Sequence, residues 1–591
     1  MGADEPVSIW SVYEAYQKEL TEHQPPEMDF DDMLIHALEV LDNPNMQAFW
    51  QRKYPYVCVD EAQDTSRLQH AIVQKLHRTG DSLFMVGDDD QSIYAFRGAM
   101  PEDMLTFDRR YEDAAVHRMG VNFRSDQQIV LSGDGLIQRN EERAKKTMEA
   151  FSKQPGEIRI IDISAARQGQ FLLDQARRFC KKQEGEENSL AILYRNNVSA
   201  LLPLAYFFKN DVPFVGNKVF DVLTLLYSRT AINILAFLRF VLEPDSLQAY
   251  SSAYPVWNHY HGLFLNRKTA VENLRKQMGE ENSGGPILPK LQALLRSLGE
   301  MDKARHIGEI WTILQRIQAE DKPDFAIMAM LKELEYNQNG SMKQKNVQLL
   351  VMALIQIASL YDSISSFVDA MLALRAKRKW DEHNADKQPV VTLSTMHSAK
   401  GQEYDHVIII DAVKDLMPGD PSKPLPFWHA FWQDHEEEER RLFYVAVTRA
   451  RHDLRIVVNG LNSNGQQAPS PFIHEMLRDN PNIQVENLTA YAAHDALEEQ
   501  IEEAMGIPYF AVRRGKTPGI HREYEKAGVE GYSCPVYRKC TTEREAQRFL
   551  NKAVSCPVPE TETAPDLPLP VEKALLRLFS VQQLKELDAN R

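Results

Sequence analysis

Residues 56–69 read YVCVDEAQDTSRLQ and residues 83–99 read LFMVGDDDQSIYAFRGA. Each stretch opens on a short apolar run, Tyr56–Val59 and Leu83–Val86, and each run stops at carboxylates. Buried parallel strands deliver acidic side chains to the carboxyl edge of a sheet in this way, and that edge is where open α/β sheets bind ligands. The pattern therefore predicts an α/β fold. Asp60 and Glu61 suit a Mg²⁺–nucleotide site, one carboxylate for the metal's water shell and one to orient or deprotonate an attacking water. Two acidic loops after two strands would be the plain alternative. The spacing to Gly87-Asp88-Asp89-Asp90-Gln91 and to Tyr94-Ala95-Phe96-Arg97-Gly98 argues against it.

These residues resemble the second and third motifs of the UvrD/Rep/PcrA family of superfamily 1 DNA helicases. The resemblance continues downstream. Asn122-Phe123-Arg124-Ser125 is similar to the fourth motif, and Ala191–Asn196 to the segment after it. Thr395-Met396-His397-Ser398-Ala399-Lys400-Gly401-Gln402-Glu403-Tyr404 is similar to the fifth, and Leu442–Arg451 to the sixth. What this implies is two RecA-like parallel-sheet motor domains with a helical insertion, using ATP and Mg²⁺ to move along single-stranded and duplex DNA in the 3′ to 5′ direction. By the same resemblance Asp60 holds Mg²⁺ together with Glu61, and Gln91 senses the terminal phosphate. Arg124 and Arg449 reach the γ-phosphate across a cleft, as arginine fingers do. Glu403 and Gly401 belong to the nucleotide site, with Glu403 on the ribose. Tyr94, Phe96, Arg97, Thr395 and His397 face DNA, where stacking on unpaired bases contributes roughly 1–3 kcal/mol per base. Phe96 stands where the family commonly has tryptophan.

One family element has no counterpart. The phosphate-cradling loop needs glycines, a lysine and a Ser or Thr ahead of the second motif, and no glycine lies between Gly2 and Gly80. Gly515-Lys516-Thr517 has the wrong upstream spacing and is followed by Pro518 where a helix should continue. The expectation is a first motor domain that is incomplete: a truncated chain, one half of a split enzyme whose partner chain supplies the loop, or a natural variant. A non-hydrolysing nucleic-acid-binding protein is the alternative to the helicase.

Composition sets the outer bounds. At 591 residues the chain has room for several domains. A hydrophobic content of 43% and a charged content of 26% are ordinary for globular protein. No apolar run reaches the roughly 18 residues of a membrane span, and no basic-then-apolar leader opens the sequence. The five cysteines are scattered, and Cys534, Cys540 and Cys556 lack the paired spacing of a zinc site. A cytoplasmic protein without a membrane partner is expected. The net charge of −16 argues against wholesale coating of nucleic acid and leaves room for a local basic groove.

The tail reverses that charge. From Tyr509 onward Arg513, Arg514, Lys516, Arg538 and Lys539 join other basic side chains that together outnumber the acids. Tyr509–Gly515, Pro518-Gly519-Ile520, Val529–Tyr532 and Tyr537-Arg538-Lys539 resemble the RNA–DNA hybrid-binding, or viroplasmin, domain of eukaryotic-type ribonuclease H. The resemblance implies hybrid binding by Arg513, Arg514, Lys516, Tyr524, Tyr537, Arg538 and Lys539, through shape and 2′-hydroxyl contacts. Tyr524 and Tyr537 replace a usual tryptophan and phenylalanine.

The domain reading is then as follows. Residues 1–28 are a helical remnant and 29–115 the end of the first RecA-like domain. Residues 116–222 and 387–475 form the second, split by a helical insertion over 223–386 in which Trp257 and Trp311 read as core. Residues 476–506 are a linker, 507–553 the hybrid-binding α+β domain, and 554–591 a Pro-rich linker with an amphipathic helix.

Overall fold

The computed structural model describes residues 9–77, 83–111, 114–180, 189–216, 219–257, 260, 285–336, 345–376, 391–414, 416–419, 435–459, 469–488 and the strands 509–514, 519–521 and 536–540. The chain forms two compact units. One gathers residues 1–120, 137–147 and 421–444, and the other 121–136, 148–420 and 445–591. No helix of the described residues is long and apolar enough to cross a membrane.

In the first unit, helices α1 (Ile9–Glu22), α2 (Phe30–Asp42), α3 (Pro44–Lys53) and α4 (Arg67–Leu76) surround strands β1 (Val57–Val59) and β2 (Leu83–Met85) in sequence. Their boundaries follow local chemistry. Asp29 and Asp32 form a reciprocal capping box at the start of α2. Ser66 and Gln69 form another at α4. Asn43 caps α3, which has Pro44 in its first turn. Each side chain supplies a partner for an otherwise orphaned N–H. α2 packs against α3 and α4.

β1 and β2 are parallel, with Val57 opposite Leu83, Cys58 opposite Phe84 and Val59 opposite Met85. Val86 N donates to Val59 O and Ala62 N to Val86 O, so pairing continues past the strand ends. This sets the Asp60-Glu61 turn beside Gly87-Asp88. The parallel direction agrees with the sequence reading, but the expected burial does not. Phe84 is 64% exposed, Tyr56 is 75% exposed, and Cys58 is exposed beside Phe84. In strands this short each face carries only one or two side chains per strand. Here the Cys58–Phe84 face has no cover among the described residues.

The second unit is built on a seven-stranded parallel sheet. Its strands are β5 (Glu157–Ile163), β6 (Leu190–Tyr194), β7 (Phe214–Val215), β8 (Val391–Thr395), β9 (Tyr404–Ile409), β10 (Ala450–Asn459) and β11 (Gln484–Asn487). They run in the order β11-β5-β10-β9-β6-β8-β7. All neighbours are parallel. Strands β5, β9 and β10 carry Val, Ile and Leu runs interrupted by charged residues, while the central strand β6 reads LAILY and every one of its residues is buried. That is the signature of a sheet covered on both faces. A short parallel pair, β3 (Val121–Asn122) with β4 (Glu149–Ala150), precedes it in the chain.

Between β7 and β8 the described residues are mainly helical, and their core is continuous with that of the sheet. Trp257 is fully buried against Phe237, Phe240 and Tyr250. Trp311 packs on the edge of this core. Both tryptophans are thus part of the packing, as their positions in apolar helices suggested. At the C-terminal end β12 (Tyr509–Arg514) lies between β13 (Gly519–His521) and β14 (Val536–Cys540) in an antiparallel sheet. Lys516, Tyr524, the helix expected over 571–587 and most of the expected 476–506 linker lie outside the described residues, as do the side chains of Arg513, Arg514, Tyr537, Arg538 and Lys539.

Candidate nucleotide and nucleic-acid sites

In the first unit the two carboxylate-tipped strands are joined by one amide. Gln63, fully buried, donates through Nε2 to Glu61 Oε2 at 2.6 Å. Its Oε1 accepts from Asp88 N at 3.0 Å. Gly87 is required for this approach, because a Cβ there would collide with Gln63 Oε1 and Met104 Sδ. Asp88 in turn accepts from Gln91 Nε2 through Oδ2 at 2.7 Å. Glu61 and Gln91 are therefore linked through Gln63 and Asp88, two residues the sequence did not single out for this, and Asp60 adjoins Glu61. Asp60 and Glu61 are exposed, and Asp60 Oδ1 accepts from Glu61 N at 2.8 Å. Glu61 holds a left-handed backbone with φ 52. For a residue with a Cβ this conformation stores about 1–2 kcal/mol of strain.

Asp88, Asp89 and Asp90 have carboxylate oxygens within 4.8 Å of one another, a spacing that suits a cation. The protein fills it with its own charges. Lys146 Nζ bonds Asp88, lies 2.9 Å from Asp89 Oδ1 and 3.2 Å from Asp90 Oδ2. Arg143 grips Asp90 with two bonds of 2.8 and 2.7 Å. Ala144 N donates to Asp89 Oδ2 at 2.6 Å. Burial opposes the Lys146 charge, yet the three facing carboxylates hold its ammonium above the usual range. The donor set does not fit a metal, since two cations already occupy it. Asp60 and Glu61 are exposed carboxylates, the donor type that hard cations take.

Beyond Gln91 the chain turns through Ala95–Arg97 and a left-handed Gly98. Tyr94 and Phe96 meet edge to face at 5.9 Å, and the Arg97 guanidinium lies 5.0 Å from the Tyr94 ring and 5.5 Å from the Phe96 ring. Tyr94 is half-buried and Phe96 exposed. The three form one aromatic–cation surface.

In the second unit Asn122 Oδ1 accepts from both Arg124 N and Ser125 N at 2.9 Å, which fixes the turn carrying Arg124. Arg124 Nε donates to Glu403 Oε2 at 2.9 Å, and Nη1 to Thr448 O at 3.3 Å. Arg451 also bonds Glu403, and reaches Asp405 at 3.2 Å. Hydrogen bonds from Arg124 and then Arg451 hold the Glu403 carboxyl below its ordinary range. Phe123 is 72% exposed and lies against exposed Phe151, with ring centroids 4.7 Å apart. A flat apolar face thus adjoins the arginine.

Thr395 ends β8, and its hydroxyl bonds Ser398 Oγ at 2.9 Å and N at 3.1 Å. His397 is half-buried in the same loop, and exposed Gly401 has φ 79 with open space around it. Arg449 differs from its expected role. It is 1% exposed, and its guanidinium donates to Val445 O, Gln402 O and Thr448 Oγ1 at 2.9, 3.1 and 3.2 Å. It ties the loop before β9 to the end of helix His435–Val447, and a phosphate contact would have to replace those bonds. Earlier in that helix Arg440 pairs with Glu436 at 2.7 Å, the salt bridge that its acidic neighbours allow.

The residues that sequence reasoning missed are Gln63, Lys146, Arg143, Arg451 and the Phe123–Phe151 pair. Gln63 lies inside the quoted acidic motif, and Phe123 is adjacent to Arg124, so both were within reach. Lys146 and Phe151 carry no local signal.

These parallel sheets, with carboxylates at the end of β1 and an arginine–glutamate pair after β3, define the RecA-like α/β class. Residues 3–112 match the UvrD/REP helicase N-terminal domain, 246–460 the UvrD-like helicase C-terminal domain and 508–550 the ribonuclease H1 N-terminal domain. The chain belongs to the UvrD/Rep-like helicase family and carries a ribonuclease H1-like domain at its C-terminal end. It is 28% identical over 485 residues to YjcD of Bacillus subtilis, covering 80% of this chain and 60% of that protein. It is 27% identical over 470 residues to the ATP-dependent DNA helicase PcrA of Bacillus subtilis, covering 76% of this chain and 60% of PcrA. It is 26% identical over 474 residues to the ATP-dependent DNA helicase Rep of Buchnera aphidicola, covering 76% of this chain and 69% of Rep. The chain thus spans about three-fifths of the length of YjcD and PcrA.

Proposed function

We propose that this chain is an ATP-dependent 3′ to 5′ DNA translocase and helicase of the UvrD type, working in the cytoplasm and directed to RNA–DNA hybrids by its tail. The observation that carries this reading is the continuous bonding from Glu61 through Gln63 and Asp88 to Gln91. This bonding supports reading Glu61 as the base and Gln91 as the phosphate sensor of one site. Asp60 would hold the metal. Glu61 would take the proton of the attacking water. Arg124 would supply positive charge to the terminal phosphate, with Glu403 near the ribose and Phe123 offering a flat face to the base. When bound, Mg²⁺–ATP supplies the phosphoanhydride whose cleavage drives stepping. Tyr94, Phe96 and Arg97 would stack on unpaired bases. The relatives named as ATP-dependent DNA helicases support the activity, and the ribonuclease H1-like match supports the hybrid preference.

DNA-stimulated ATP turnover by the full chain is the test. Turnover that Glu61→Gln abolishes is the expected result. The second reading is a chain that binds nucleic acid without hydrolysing ATP until a partner supplies the phosphate loop. The exposed Cys58–Phe84 face of the β1–β2 pair favours it, because parallel sheets are normally covered. No turnover alone, with turnover restored by a fragment carrying a glycine-rich loop, would establish that reading instead.

A further inference from the structure

The Asp88–Asp90 cluster is placed between two elements that the nucleotide-site reading uses. Asp88 divides its carboxylate: Oδ1 takes the Lys146 ammonium and Oδ2 takes the Gln91 amide. The same residue's N–H is held by Gln63, whose other end holds Glu61. Lys146 comes from a segment 58 positions further along the chain, so its hold on Asp88 is not a local turn interaction. It also neutralises Asp89 and Asp90, which would otherwise repel Asp88 from beside Gln91.

We propose that Gln63 and Lys146 are positioning residues that form a relay through Asp88, fixing Glu61 and Gln91 relative to each other. This deepens the ATP-hydrolysis reading and rests on it. Lys146 acts on Asp88, and Gln63 acts on Glu61 and on the Asp88 backbone. Because the links are a buried amide and a largely buried ion pair, loosening one end should be felt at the other. An amide is needed at position 63, since it must donate to a carboxylate on one side and accept from an N–H on the other. A cation is needed at 146, and arginine can replace lysine only as far as its wider head fits.

The test uses the full chain and its Lys146→Met, Lys146→Arg and Gln63→Glu variants, with Lys18→Ala as a surface control. Hydrogen–deuterium exchange is followed over residues 60–66 and 86–98, with 229–257 as an internal reference. Lys146→Met should raise exchange about tenfold or more in both windows and leave the reference unchanged. Gln63→Glu, which sets a second carboxylate against Glu61, should do the same, and Lys146→Arg should restore part of the protection. In turnover, both damaging variants should lower kcat about tenfold or more while KM for ATP stays within about twofold. Loosening confined to 86–98 in Lys146→Met, with 60–66 untouched, overturns the relay. If Lys146→Met fails to fold, Gln63→Glu decides alone by the same two windows. A wild-type chain without turnover counts against the hydrolysis reading, whereas the exchange arm still decides whether the two windows are coupled.

Discussion

Arg124 and Glu403 are 279 positions apart in the chain, yet Arg124 Nε donates to Glu403 Oε2 at 2.9 Å. Both are residues that the helicase resemblance assigns to the nucleotide, and here they neutralise each other, with Arg451 as a second cation on the same carboxylate. The pair is partly exposed, so its contribution to stability is small, about 0–1 kcal/mol. Its main effect is to hold the Arg124 guanidinium at a defined place against Glu403 and the Thr448 carbonyl. Arg124→Ala should therefore lower turnover by roughly 10³-fold or more while changing stability by about 1 kcal/mol or less. Parallel turnover and urea-unfolding measurements check this. A large loss of stability would show that the arginine is chiefly structural.

Acid should weaken the same contact. The Glu403 carboxyl is held below its ordinary value in the folded chain, so its contribution is present above the unfolded value near 4.5 and is lost as pH falls through the lower folded value. Arg451→Ala should move that loss to higher pH, read by NMR titration of the Glu403 carboxyl.

Glu61 occupies a left-handed backbone conformation that glycine adopts without strain. Glu61→Gly should abolish turnover. Because the relieved backbone strain offsets the loss of the Gln63 bond, it should lower stability by less than the roughly 1–3 kcal/mol that an unsatisfied buried donor costs by itself. Thermal unfolding of Glu61→Gly beside Glu61→Gln separates the two effects. A larger drop for glycine, with none for glutamine, would contradict the strain argument.

The Arg143–Asp90 pair is almost completely buried, at 4% and 0% side-chain exposure. Removing one partner of a buried pair leaves an uncompensated charge and costs about 3–5 kcal/mol. Arg143→Met should show that loss in chemical unfolding, whereas Lys18→Ala, at an exposed i,i+4 pair with Glu22, should stay within about 0.5 kcal/mol of the parent.

Asp162 on β5 is a buried carboxyl whose Oδ1 has no hydrogen-bond partner among the described residues, while Oδ2 accepts from Asn487. Burial pushes its pKa from 3.8 up to about 6. The folded chain therefore binds the proton more tightly than the unfolded chain, and stability falls as pH rises from 3.8 through about 6. Asp162→Asn keeps the shape and should flatten that part of the stability curve and raise stability at neutral pH. An unchanged pH profile would exclude the residue as its source.

For the tail, deleting residues 507–553 should weaken binding to RNA–DNA hybrid more than binding to single-stranded DNA, measured by fluorescence anisotropy at one fixed salt concentration. Equal losses on both would reduce the tail to a general electrostatic contact, which is strongly salt-dependent.

Much of this protein was legible in short windows of sequence. The apolar runs at Tyr56–Val59 and Leu83–Val86 and the Ala191–Tyr194 segment mark strands within a residue or two of their observed ends, in the last case because burial imposes composition locally. Carboxylates and glycines that terminate those runs mark the loops at the sheet edge for the same reason. Partners contributed by distant segments were not legible. Lys146 closes on Asp88 and Arg124 on Glu403 only after the intervening chain has folded, and a lone lysine or arginine looks the same whether it ends in water or in an ion pair. Burial of Arg449 and exposure of Phe84 went against local pattern for a related reason. A guanidinium can be buried where carbonyls converge on it, and an apolar strand is exposed where, among the described residues, no other element covers its face. The opening motif is therefore written in its own residues, whereas the relay that holds Glu61 and Gln91 in place depends on side chains from elsewhere in the chain.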